Sequence, residues 1–282
     1  MCILFLHTNP DPKEDEYRLI VATNRDEYLK RPAKTAYQCP KTSIISGRDM
    51  EPGREYGGWL GFVAKKFPEN GTPSKYCFSC LTNLSGGEKL PNANGRGFLV
   101  MNYLEGQANF PEYIRALRKD KHVFGGFNLI GVELSKDGTT KTYHTSNQPQ
   151  IDSEYTGKHT LGFGNSTIDS PYMKVLNGRA SFLRIIEKGL KKEELKEELI
   201  ALLKDKTKHL PDFELARRTN SPKALEALSS IFVEPSPEYG TRTHTIVLVD
   251  KNWNAEFTEI TLEDPISVEN PEWTTTVISA SL

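Results

Sequence analysis

Met1-Cys2-Ile3-Leu4-Phe5-Leu6-His7 opens the chain, and Tyr17-Arg18-Leu19-Ile20-Val21-Ala22-Thr23 follows across a stretch that includes Asn9-Pro10-Asp11-Pro12. Both runs are rich in strand-forming side chains, and the segment between them is rich in turn formers. The pattern predicts a hairpin whose first strand begins beside Cys2 and whose second runs into Asn24-Arg25-Asp26-Glu27. A small residue at position 2 permits removal of Met1, leaving a thiol and an α-amine on one residue. The amine titrates near pKa ~7.7–8.0 and the thiol near ~8.5, so close to neutrality the amine can take the thiol's proton. Nucleophile and base would then share one residue. The competing reading makes Cys2 a small buried hydrophobe.

Working outward, strands are expected at Trp59–Ala64, Tyr76–Thr82, Phe127–Glu133, Lys141–His144 and His159–Phe163, with a second hairpin from Thr245–Val249 and Glu256–Ile260. Helices are expected at Phe110–Arg118, Tyr172–Lys188 and Lys192–Lys204. In the second of these, Val175, Phe182, Ile185 and Ile186 recur at helical spacing. Two strand groups around a helix-rich middle suit antiparallel sheets covered by helices better than a parallel βαβ stack. No repeat or low-complexity segment divides the chain, so residues 1–282 read as a single α+β domain.

Composition removes several classes of function. A net charge of −1 gives no basic surface for nucleic acid or anionic membrane. The opening apolar stretch is too short for a secretory signal, and no run approaches the roughly 20 apolar residues of a membrane span. A cytoplasmic protein is the expectation. Four cysteines in 282 residues make no disulfide framework. Cys77 and Cys80 form a C-x-x-C within an expected strand, where residues three apart face opposite ways, so shared redox or zinc chemistry is disfavoured. No metal site is expected.

Asn24-Arg25-Asp26-Glu27 reads either as an exposed turn or as the group that orients Cys2, with Asp26 and Asn24 holding its amine and thiol. Gly57-Gly58-Trp59-Leu60-Gly61 reads as a tight turn into a buried strand, with Trp59 more in character as core than as a ligand platform. Gly86-Gly87 and Gly95-Arg96-Gly97 bracket a polar loop suited to cover a pocket mouth, without the spacing of a phosphate loop. Arg48, Arg54 and Arg96 are suited to grip a ligand carboxylate or phosphate through paired N–H donors.

Asn24-Arg25-Asp26-Glu27 behind an N-terminal Met-Cys resembles the signature of the NRDE family, the transport and Golgi organisation protein 2 proteins. Further matches are Gly57–Gly61, Leu81-Thr82-Asn83, Gly95-Arg96-Gly97, Gly126-Phe127-Asn128-Leu129-Ile130, Gly164-Asn165-Ser166 and Gly240–Thr245. Together they cover nearly the whole chain. The family is in turn similar to N-terminal-nucleophile hydrolases of the choloylglycine hydrolase type. That resemblance implies a four-layer αββα sandwich of two antiparallel sheets flanked by helices. Carried over residue by residue, it implies Cys2 as nucleophile and Asp26 as the carboxylate that binds its amine. Asn83 and Asn165 follow as oxyanion or amine ligands, and Arg242 as the late basic residue. Asn24, Arg25, Arg48, Arg54, Trp59, Arg96 and Asn128 are the expected ligand-binding residues. One departure stands out: the first Arg of the hydrolase motif falls on Thr23, and Arg25 follows Asn24, so Arg25 is expected to point away from Cys2.

The family resemblance also implies intracellular heme trafficking, with the protein as a carrier or chaperone that mobilises heme from stores or mitochondria. The expected locations are then cytoplasm and mitochondrion. No cofactor is required, and heme is the cargo. Cys39-Pro40 resembles the short Cys-Pro dipeptide of some heme-responsive proteins, a very weak signal, while His7, His122, His144, His159, His209 and His244 are scattered without ligand spacing. Two other readings remain open: a Cys2-dependent hydrolase of amides or acyl thioesters, and a factor in secretion and Golgi organisation. The expected partner is heme or an acyl-type small molecule.

Overall fold

The computed structural model describes residues 2–65, 74–86, 93–119, 124–219 and 221–282. Met1, His122 and the middle of the predicted mouth loop, 87–92, lie outside them. β1 (Ile3–Thr8) and β2 (Tyr17–Tyr28) form the predicted hairpin, in register from Ile3 opposite Asn24 to Thr8 opposite Leu19. The hairpin lies inside a six-stranded antiparallel sheet. β10 (His159–Phe163) flanks β1, while β11 (Tyr239–Asp250), β12 (Asn254–Leu262) and β13 (Trp273–Ser281) continue outward from β2.

The second sheet runs in chain order through β3 (Ala33–Gln38), β4 (Ile45–Asp49), β5 (Leu60–Lys65), β6 (Lys75–Asn83), β7 (Phe127–Ser135), β8 (Thr140–Asn147) and β9 (Gln150–Thr156). All its pairings are antiparallel as well. The strands at β3, β4, β9 and β13 were not anticipated. β9 and β13 alternate between half-buried and exposed residues and carry little apolar signal. α1 (Gly97–Glu105), α5 (Phe213–Arg217) and α6 (Pro222–Leu228) were not anticipated either, whereas α2 (Phe110–Leu117), α3 (Met173–Glu187) and α4 (Lys192–Leu203) fall where periodicity placed them.

Three apolar clusters explain the layering. Leu4, Leu6, Val21 and Val247 of the first sheet meet Phe62, Phe78, Ile130 and Val132 of the second. The opposite face of the first sheet, with Ile3, Phe5, Ile20 and Ala22, packs on Phe182 of α3 and Leu199 of α4. The outer face of the second sheet, with Cys77 and Leu129, packs on Leu99 and Leu104 of α1 and Phe110 of α2. Strand alternation sends successive residues to these different clusters. The result is helix, sheet, sheet, helix: the αββα order expected. Cys77 and Cys80 fall in different clusters, on opposite faces of β6, and both are free thiols.

One carboxylate is buried between the sheets. Glu259 of β12 is 1% exposed; its Oε1 accepts from Ala36 N at 2.7 Å, and Oε2 has no hydrogen-bond partner among the described residues. Burial pushes its pKa from 4.5 up to about 7, against the pull of the Ala36 amide and the Arg25 charge. A carboxyl that ionises later in the folded chain than in the unfolded one stabilises the fold fully below pH 4.5. That stabilisation is lost as pH rises toward 7. Glu259→Gln is therefore expected to match the native protein at pH 4.5 and to exceed its stability at pH 8 by up to about 3 kcal/mol. Urea melts at the two pH values check this, and a difference that does not change with pH would contradict it.

Candidate functional site

β2 is twice the length of β1, and its last residues, from Arg25 onward, pair only with β11. Where β1 stops, a cavity of about 590 Å³ opens, with Cys2 and Asp26 in its wall. The Cys2 thiol points at the Asp26 carbonyl, Sγ to O 3.9 Å. Burial raises the thiol pKa above its ordinary value; the nearby amino terminus pulls it back down, the Asp26 charge raises it and the Arg25 charge lowers it. The Asp26 side chain accepts from Thr241 Oγ1 at 2.7 Å, and Thr241 Oγ1 in turn accepts from Val233 N at 2.9 Å. A register shift between Thr241 and Thr243 marks a bulge opposite this point. Bulges re-aim side chains beside sites.

Arg25 lies in the cavity, contrary to the expectation that it would point away. Thr23 and Arg25 are two residues apart, so alternation puts both on the same inward face. Its guanidinium stacks over Trp59, 4.2 Å from the ring centroid, with Glu27 at 3.7 Å. Trp59 is accordingly both core and cavity wall, packed against the inner cluster while facing the pocket.

Asn24 takes the other face. Its Nδ2 donates to Leu203 O at 2.8 Å and Ile231 O at 3.0 Å, and its Oδ1 pairs with His244 Nδ1 at 2.7 Å. It therefore ties the first sheet to its helices and does not orient Cys2. Asn83 lines the cavity at the end of β6. Asn165 stands behind it, donating through Nδ2 to Asn83 O at 2.5 Å, with its own Oδ1 buried and without a hydrogen-bond partner among the described residues. Asn128 braces this corner from below, with Nδ2 to Ser166 O at 2.9 Å and Gly164 O at 3.2 Å, and Oδ1 to His144 Nε2 at 3.0 Å.

Besides Asn24, Asn128 and Asn165, two more of the expected site residues lie outside the cavity wall. Arg242 is buried behind the chain that follows β2, donating to the Tyr28 and Arg31 carbonyls and to Asp264. Arg48 of β4 is buried against Ser46 Oγ and the Met101 sulfur, under α1. Cys39 likewise lies away from the cavity wall. Arg54 and Arg96 do line the cavity. Each spends one N–H on a backbone carbonyl, Arg54 on Ala93 O at 2.8 Å and Arg96 on Gly126 O at 2.9 Å. Neither forms an ion pair with any described residue. Arg31 differs: it is held by Asp49 at 2.6 Å and by Glu27 at 3.8 Å.

Glu27, Arg31, Asp49 and Phe98 belong to the cavity without having been singled out as site residues. Glu27 was the last member of the quoted tetrad; the other three carried no sequence signal. Among the described residues, no group of three His, Cys, Asp or Glu side chains is placed to hold a metal ion, and no helix is long and apolar enough to cross a membrane.

The chain matches the family model described as Transport and Golgi organisation 2 over residues 1–264. It is 32% identical to the Transport and Golgi organization protein 2 homolog of Bos taurus over 98% of this chain and 97% of that one. It is 33% identical to Transport and Golgi organization protein 2 of Drosophila melanogaster, over 99% and 97%. Among solved structures, penicillin V acylase from Agrobacterium tumefaciens aligns with a TM-score of 0.40 and 11% identity, covering 97% of this chain and 85% of that one. A likeness that weak carries no argument about chemistry.

The placement of Asn24 gives a test that separates architecture from site. Asn24→Ala leaves two backbone carbonyls and His244 without their partner in a buried setting. It is expected to cost about 3 kcal/mol of stability. The rate at which iodoacetamide alkylates Cys2 in the folded state should be unchanged. Chemical denaturation and mass-spectrometric mapping of Cys2 check the two halves; slowed alkylation with an intact fold would return Asn24 to the site.

Proposed function

The chain belongs to the Transport and Golgi organisation 2 family, and from that premise we propose that it is a heme carrier whose cargo sits in the cavity beside Cys2. The observation that carries this reading is the pair Arg54 and Arg96, two cavity-lining guanidiniums with no ion-pair partner among the described residues. Unpaired guanidiniums facing a cavity favour an anionic ligand, and the planar fork of N–H donors suits carboxylates best. Heme brings two propionates for them and a flat apolar body for the wall of Trp59, Leu81, Leu84 and Phe98. Cys2 adds a soft sulfur donor of the kind that ligates heme iron. Mobilisation from stores or mitochondria is the finer role that the family resemblance implies.

A second reading is favoured by a different observation. Cys2, Asp26 and Asn83 share one cavity, with Asn165 braced directly behind Asn83. In an acyl transfer, the Cys2 thiolate attacks a carbonyl and the Asn83 amide donates to the oxyanion. The amine or thiol then leaves, and water releases the acyl group from the sulfur. The burial that raises the thiol pKa opposes this chemistry at neutral pH and makes turnover slow. Action in secretion and Golgi organisation accords with the names of the relatives and with no particular residue of this cavity.

Titration of the purified protein with heme, followed by absorbance, tests the carrier. Arg54→Ala with Arg96→Ala is expected to weaken binding at least tenfold, since each charge-assisted pair contributes about 1.5–3 kcal/mol. The dimethyl ester of heme, which has no carboxylates, should bind native and doubly substituted protein alike. Cys2→Ala should change the absorption band while the heme stays bound, and should leave heme redistribution in cells intact. Absence of heme binding would sink the carrier reading. Normal affinity with lost redistribution in Cys2→Ala would transfer the function to the hydrolase.

A further inference from the structure

A sheet edge offers a row of unpaired backbone N–H and C=O groups to any strand of matching length, and folds guard such edges with charge, bulges or brevity. The two sheets end in four edge strands, β10 and β13 on the first and β3 and β9 on the second. β10 has only five residues. β3 carries Lys34 and an irregular register between Lys34 and Tyr37. β9 carries Asp152 and Glu154, engaged by Arg118 and Lys141. β13 has none of these protections. Its nine residues hold no charge and no proline, and five consecutive β-branched side chains, 274–278, run through its middle. It pairs with β12 at every position without a register shift, and among the described residues no strand lies on its other side. The strand is also firmly held. Ile278 and Ala280 pack against the core between the sheets, and the Trp273 ring stacks on His244 with centroids 5.0 Å apart. Val277, on the face opposite Ile278, is 52% exposed.

We propose that the free edge of β13 is a contact between two copies of this chain, paired antiparallel about a two-fold axis at Val277, which joins two six-stranded sheets into one continuous sheet. A two-fold contact sets residue i of one copy opposite j of the other, and j opposite i. Centring on Val277 is the register that uses all nine residues: Trp273 falls opposite Ser281, Thr274 opposite Ala280, Thr275 opposite Ser279 and Thr276 opposite Ile278. Opposed side chains then share a face, and each exposed Val277 is covered by its twin. The charges at the ends of the strand agree with this register and favour a second copy over a foreign strand. Glu272, exposed just before β13, falls opposite Leu282 of the second copy. Leu282 O accepts from the exposed Lys136 Nζ at 2.6 Å, and no Asp or Glu side chain among the described residues pairs with that ammonium. Glu272 of one copy thus meets Lys136 of the other, twice in each dimer. A contact one strand wide is smaller than a standard interface, so the dimer is reversible, with dissociation in the micromolar range. β13 contributes nothing to the cavity wall, and the inference does not rest on what the cavity holds.

Sedimentation velocity from about 1 to about 300 µM tests it. The native protein is expected to pass from a 31.8 kDa species to one of twice that mass. Over the same range, hydrogen exchange in residues 273–281 should slow more than in any other strand. Val277→Lys, at an exposed position, sets two like charges directly opposite each other and should weaken association about tenfold or more while the monomer stays folded. Glu272→Lys should weaken it less. Adding Lys136→Glu to Glu272→Lys should restore the native association, because each ion pair is rebuilt in reverse. A native protein that stays monomeric throughout overturns the proposal. So does a dimer whose exchange in 273–281 is unaltered, a dimer indifferent to Val277→Lys, or a double charge swap that associates no better than Glu272→Lys alone. If the protein stays monomeric and an added uncharged, extended peptide protects 273–281, the edge serves a strand from another protein and the second copy is refuted.

Discussion

The antiparallel pairing of β2 between β1 and β11 is the constraint on which everything else in the molecule depends. β2 outruns β1, so one of its edges is paired along its full length and the other only as far as Asn24. The part of β2 that runs past β1 carries Arg25, Asp26 and Glu27, and the space beside it is the cavity. A strand end without a neighbour leaves backbone polar groups that need other partners. Here the Asp26 carbonyl meets the Cys2 thiol and the Tyr239 hydroxyl, at 3.9 and 3.2 Å. The chemistry-bearing residue is thus located by the same mismatch of strand lengths that creates the pocket.

Alternation along β2 then sorts the tetrad by task. Arg25 goes inward to the seam between the sheets and rests on Trp59, while Asn24 goes outward and binds the ends of the helix layer. Asp26 is drawn to Thr241 at the bulge in β11. Four consecutive polar residues are therefore divided among the sheet interface, the helix interface and the cavity. A one-residue slip in register would exchange these roles and bury the wrong groups. The buried hydrogen bonds of Asn24 consequently act as a register lock for the site.

The sequence made the framework legible wherever periodicity was strong. The opening hairpin, β10, α2, α3 and α4 were readable because their apolar residues alternate or recur at helical spacing. β9 and β13 were not readable, since edge strands half in solvent need no apolar face. α1 was hidden by Gly95-Arg96-Gly97, which reads as loop but leads directly into the helix. Of the site, Cys2, Asp26 and Asn83 were legible through motif resemblance, and all three line the cavity. Arg242 and Arg48 were named as candidates, yet they are spent on backbone carbonyls and a sulfur contact away from it. Type and motif identify a guanidinium; only the fold decides which guanidiniums are already engaged.

The charges around the cavity separate into two sets with different consequences. Arg25 with Glu27, and Arg31 with Asp49, are matched within the protein, and their fields largely cancel toward a ligand. Among the described residues, Arg54 and Arg96 are matched by nothing stronger than a carbonyl. Desolvation already lowers the Arg96 pKa, which is the expected signature of a cation partly withdrawn from water without full compensation. An arriving carboxylate would supply that compensation, and its binding would regain free energy that folding left uncollected. Glu27 supports the Arg96 charge from a distance, while its ion pairs among the described residues are with Arg25 and Arg31. Under the proposed carrier role, selectivity for an anionic ligand would follow from how the remaining charges are paired off, with Cys2 in the same cavity wall as Arg54 and Arg96.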